Sequence, residues 1–146
     1  MIEKIVNNNE IIAIVMRDSY EKEGVEFVTP NEFSQQLAYM KHPKGHKIIP
    51  HFHNEVPRII KYTQEVLIIK KGRLRVDFYD VKCKYINSIV LNRGDVIILC
   101  SGGHGFEVIE DVIMVEIKQG PYAGEEDKTK FESVNNVNIK LSGESI

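Results

Sequence analysis

The chain lacks most of the features that assign a protein to a functional class at sight. Its formal net charge is −2 over 146 residues, so there is no basic excess to suggest nucleic-acid binding. The longest apolar runs, such as Ile11–Met16 and Val96–Cys100, are far too short to span a bilayer. The opening stretch MIEKIVNNNE has no long apolar core of the kind a secretory signal needs, which makes the cytoplasm the expected location. Cys83 and Cys100 are the only two cysteines, without CxxC spacing, and no disulfide framework is expected. Cys100 closes an apolar run and reads as a small buried hydrophobe. No GxSxG elbow, P-loop or GxGxxG fingerprint occurs. Internal repeats and low-complexity tracts are missing, and helix-period patterns are scarce.

What remains is a dense succession of short apolar segments and turn signals. Hydrophobic residues make up 42% and charged residues 27%, ordinary values for a soluble globular protein. A chain of this length is most simply one domain that buries roughly two-thirds of its unfolded surface. Candidate strands are Glu10–Met16, Val25–Val28, Gln35–Lys41, Lys47–His53, Glu65–Lys70, Arg73–Tyr79, Tyr85–Leu91, Asp95–Leu99, Gly105–Ile109 and Val112–Lys118. Between them stand Asn7-Asn8-Asn9, Pro30-Asn31, Pro43-Lys44-Gly45, Lys71-Gly72, Asn92-Arg93-Gly94 and Glu110-Asp111. Many short strands with such punctuation predict an all-β sandwich or barrel. In Arg73–Tyr79, Leu74, Val76 and Phe78 alternate with Arg75, Asp77 and Tyr79, the pattern of a half-buried strand. The expected domain covers residues 1–124. Residues 125–146 form a short helical turn and a polar tail, either loosely ordered or docked as an arm on a partner subunit.

One constellation carries chemistry. Gly45 is followed after five residues by His51-Phe52-His53, and Glu65 after six residues by Gly72. Histidines two apart on a strand point to one face, about 7 Å apart at ~3.3 Å per residue, so both can reach one metal ion. A carboxylate at Glu65, on the next strand, offers a third ligand. His42 and His46 fit no such pattern and read as surface residues.

In these residues the chain resembles the cupin superfamily, whose first motif is G-x5-H-x-H, a variable gap, then E-x6-G. The gap here runs from Asn54 to Gln64, longer than the usual three or four residues, and reads as a loop inserted at a barrel mouth. The second motif, G-x5-P-x-G-x2-H-x3-N, is met by Gly94, Gly102 and His104. Cys100 stands where proline is usual, His104 comes one residue early, and the closing asparagine is missing. The resemblance covers roughly Lys41 to Lys118. It implies a double-stranded β-helix, or jelly-roll, barrel that binds one divalent transition metal (iron, manganese, nickel, copper or zinc) through His51, His53, Glu65 and His104. It also implies a homodimer acting on, or binding, a small polar metabolite by oxygenase, isomerase or lyase chemistry. Metal-independent epimerases or isomerases of nucleotide-linked sugars, using His51, Glu65 or Tyr62 as acid and base, are an alternative. A non-enzymatic small-ligand binding module is another. The sequence names no catalytic residue.

Arg58, Lys61 and Tyr62 in the inserted loop are the candidate substrate contacts, since arginine suits carboxylate or phosphate and tyrosine can stack on a ring; a merely solvated loop is the plainer reading. Met114, Glu116 and Lys118 share one strand face. Turned inward, that face puts a charged pair beside the site. Turned outward, as more ordinary for such residues, it is plain surface.

Overall fold

The computed structural model describes residues 1–142 and is all-β. Its strands are β1 (Ile2–Asn7), β2 (Glu10–Met16), β3 (Gly24–Phe27), β4 (Ala38–Lys41), β5 (Glu65–Tyr79), β6 (Tyr85–Leu91), β7 (Val96–Leu99) and β8 (Gly103–Lys118). Two short 3₁₀ turns, Gly124–Asp127 and Asn136–Asn138, complete the regular structure. The main sheet is antiparallel, in the order β1-β2-β7-β5-β6, with β8 along the other edge of β5. β3 and β4 form a separate two-stranded sheet.

Two pairs of expected strands are single elements. Glu65–Lys70 and Arg73–Tyr79 fuse into the 15-residue β5, and Gly105–Ile109 and Val112–Lys118 into the 16-residue β8. The signal at Lys71-Gly72 is a bend within a strand. Register slips between Ile69 and Leu74 against β8, and Gly72 sits at φ +79°, where a side chain would strain. A slip changes which residues face inward. Leu67 and Ile69 before the bend, and Leu74, Val76 and Phe78 after it, accordingly join one buried cluster. Full burial of each such side chain contributes about 1.5–3 kcal/mol. Both halves of β5 thus contribute to one core.

β1 was not among the expected strands. It pairs with β2 through a hairpin whose Asn8 and Asn9 have φ of 49° and 64°, the positive pair that a two-residue type I′ turn requires. Conversely, Lys47–His53 is not a strand: no strand lies between Lys41 and Glu65. Ile49 and Phe52 in this segment are 82% and 84% exposed, so their alternation buries nothing. β8 pairs only with β5, and no described strand lies along its other edge. A second apolar cluster, Ile14, Val66, Ile98 and Cys100, fills the opposite face beneath Val28, Phe33 and Leu37.

The described part of the tail docks on its own sheet. Ser88 donates its backbone N–H to Lys140 and accepts one from Ser142, each at 2.8 Å, and Val134 N–H donates to the Tyr79 hydroxyl at 2.9 Å. The last four residues of the expected tail lie outside the described residues.

Candidate functional site

Glu65 opens β5, where it is cross-strand neighbour to Leu99 of β7 and Lys118 of β8. This register turns it toward the concave face, and it is 5% exposed. A carboxylate so buried requires a partner. The partner is His104, whose Nε2 lies 3.2 Å from Glu65 Oε2. His104 comes from the far end of β8, opposite Phe78, so the sheet's curl brings the two together. The hydrogen bond from His104 holds the Glu65 carboxyl below its ordinary value, against the upward push of burial, and the charges of His104, Lys128 and Lys118 act in the same lowering direction.

The pair stands in the wall of an open cleft of about 570 Å³. Its other walls come from Lys61 and Tyr62 at the end of the strandless segment, from Tyr79, and from Asp127–Phe131 of the tail. Phe131 packs edge-on against Tyr79 with ring centroids 5.0 Å apart. Asp127 accepts a hydrogen bond from the Thr63 hydroxyl at 2.9 Å and lies 3.9 Å from Lys118 Nζ. Sequence reasoning missed this tail wall, because DKTKF carries no spacing rule and shows only a mix of charge and one aromatic.

Of the four expected metal ligands, the structure brings together Glu65 and His104. His51 and His53 lie near each other, ring centroids 5.5 Å apart, but both are exposed in the strandless segment. Among the described residues no group of three or more histidine, cysteine, aspartate or glutamate side chains converges. In this conformation, then, the four do not form one coordination set. Arg58 is exposed and donates to the Val56 carbonyl at 3.4 Å, and it does not line the cleft; Lys61 and Tyr62 do. His42 and His46 stack on each other, exposed, at 4.2 Å. Glu116 and Lys118 register opposite Leu67 and Glu65. Glu116 is nevertheless exposed, whereas Lys118 is half-buried beside the site.

Two further cavities of similar size, about 470 and 550 Å³, are chemically quieter. In the first, Arg17 is already committed to Glu3 at 2.6 Å, Asp95 at 2.8 Å and the Val90 carbonyl at 2.7 Å. In the second, burial pushes the Cys100 thiol up to about 12, which leaves no thiolate at neutral pH. Volume therefore does not single out a site; the His104–Glu65 pair does.

No protein-family model, curated protein or solved structure matches the chain.

Proposed function

We propose that the cleft binds a small polar metabolite and that Glu65 and His104 carry out acid–base chemistry on it, of the isomerase or epimerase type. The observation that carries this reading is the 3.2 Å contact between His104 Nε2 and Glu65 Oε2 in the cleft wall. An ionised carboxylate accepting from Nε2–H fixes the imidazole tautomer and leaves Nδ1 as the proton acceptor. His104 is then the general base, and Glu65 orients the ring and stabilises the imidazolium that forms. A positioned base of this kind contributes about 10²–10⁴-fold.

The test is deuterium uptake from D₂O into carbon-bound positions of carbonyl-bearing polar metabolites, followed by NMR in the presence of a chelator. Exchange that is lost in His104→Ala and Glu65→Gln supports the reading. Exchange unaffected by both substitutions sinks it.

A second reading, a cupin-type metal centre, is favoured by a different observation. His51 and His53 ride on the segment whose end, Lys61–Thr63, already lines the cleft together with Gly103–Phe106 of β8. Folding that segment over the cleft would add two imidazoles to Glu65 and His104. A divalent transition metal held there would supply Lewis-acid or redox chemistry. Calorimetric titration with zinc or manganese separates the readings: loss of one high-affinity site in both His51→Ala/His53→Ala and Glu65→Ala/His104→Ala supports the metal centre.

The homodimer belongs to this proposal as well. The β3–β4 sheet shows Val25, Phe27 and Met40 at 48–56% exposure, and a two-stranded sheet with a bare apolar side is marginal alone.

A further inference from the structure

We propose that the cleft selects ligands bearing a phosphate group, held between Lys61 and Lys128. This rests on the cleft being the ligand site, as proposed above, and not on the acid–base roles of Glu65 and His104.

The tail segment Asp127–Phe131 is pinned at both ends. At one end Asp127 is tied to Thr63 at 2.9 Å and to Lys118 at 3.9 Å. At the other, Phe131 rests edge-on against Tyr79 and so close over Gly103 that a Cβ there would stand 2.8 Å from the Phe131 ring. Lys128, Thr129 and Lys130 are thereby held across the cleft wall.

The charges do not cancel. The cleft is lined by Lys61, Lys128 and Lys130 against Glu65 and Asp127. Both acids are committed, Glu65 to His104 and Asp127 to Thr63 and Lys118. Lys130 pairs with Glu125 at 3.2 Å, largely in solvent. Among the described residues Lys61 and Lys128 make no ion pair, and they approach from two different chain segments. Lys128 is close enough to lower the Glu65 pKa by its charge, which places its field inside the cleft. Two ammonium groups on flexible stems act as point charges suited to phosphate oxygens. The neighbouring rings of Tyr62 and Phe106, 70% and 40% exposed, offer an apolar surface to the rest of such a ligand.

Calorimetric titration with inorganic pyrophosphate at low ionic strength tests this. Lys61→Gln and Lys128→Gln are each expected to weaken binding about tenfold, and added salt to weaken it further. Lys82→Gln, on the exposed β5–β6 turn, should leave binding unchanged, and all three variants should melt like the parent because these side chains are in solvent. His104→Ala should keep pyrophosphate binding even where it loses deuterium exchange. No pyrophosphate binding at millimolar concentration, or equal losses in Lys82→Gln and Lys128→Gln, overturns the proposal. Persistent His104-dependent exchange alongside that result would leave the acid–base reading standing alone.

Discussion

Glu65 and His104 meet at 3.2 Å although they sit against opposite ends of the same strand. Glu65 begins β5, while His104 registers against Phe78 near its finish. A straight strand of 15 residues spans roughly 50 Å. The contact is therefore a measure of how far the sheet curls, and the site exists because of that curl.

The hydrogen bond that His104 gives Glu65 makes stability depend on acid pH. Glu65 has a folded pKa below its ordinary value of 4.5. Its contribution is fully present above that ordinary value and is lost as pH falls through the lower folded one. Urea unfolding of Glu65→Gln should show a deficit of about 1–2 kcal/mol at pH 7 that shrinks toward pH 3. A deficit that stays constant across this range would contradict the pairing.

The bend in β5 depends on Gly72. A Cβ there would lie 2.1 Å from the Asp111 carbonyl oxygen, and φ is +79°. Both strands would have to move to accept it. Gly72→Ala should cost about 2–4 kcal/mol in denaturant unfolding, and a variant as stable as the parent would show that the bend is not held there.

The two cysteines should differ sharply in reactivity. Cys83 is exposed and Cys100 buried, with its thiol pushed up to about 12. At pH 8 a thiol-reactive disulfide reagent should modify one group per native chain, and the second only after unfolding. Rapid modification of both would contradict the packing around Cys100.

The bare side of the β3–β4 sheet predicts self-association. Light scattering at micromolar concentration should give a mass near twice the 16.8 kDa of one chain. Phe27→Glu should shift it toward one chain without lowering the melting temperature of the main sheet. A monomeric parent under these conditions rules out the pairing.

Much of this architecture was legible from local pattern. Arg73–Tyr79 and Glu10–Met16 both form strands, but Arg73–Tyr79 is not the half-buried strand its alternation predicts. Asp77 and Tyr79 are buried along with Leu74, Val76 and Phe78, because Asp77 is held by Arg75 and Ser88 and Tyr79 is packed by Phe131. The resemblance to the cupin motifs puts Glu65 and His104 in one ligand set, and the structure brings these two together. The direct hydrogen bond between them, without His51 and His53, is not legible in the motif, since it depends on the long-range curl of the sheet. The hairpin of β1 was hidden behind a triplet of asparagines whose positive-φ turn was read only as a boundary. Lys47–His53 shows the opposite failure: its alternation is strand-like, yet in this structure no neighbouring strand satisfies it. The tail wall carried no motif, and only tertiary docking on Tyr79 and Thr63 reveals it.

The Glu65–His104 site is tested most directly by a residue-resolved NMR titration of the native protein with pooled small polar metabolites. Ligand-induced shifts should centre on Glu65, His104, Tyr62 and Phe106, and in His104→Ala deuterium exchange should be lost while the shifts at Tyr62 and Phe106 persist. Shifts centred instead on the Arg17–Asp95 cavity or on the one beside Cys100, with Glu65 and His104 unmoved, would contradict that site.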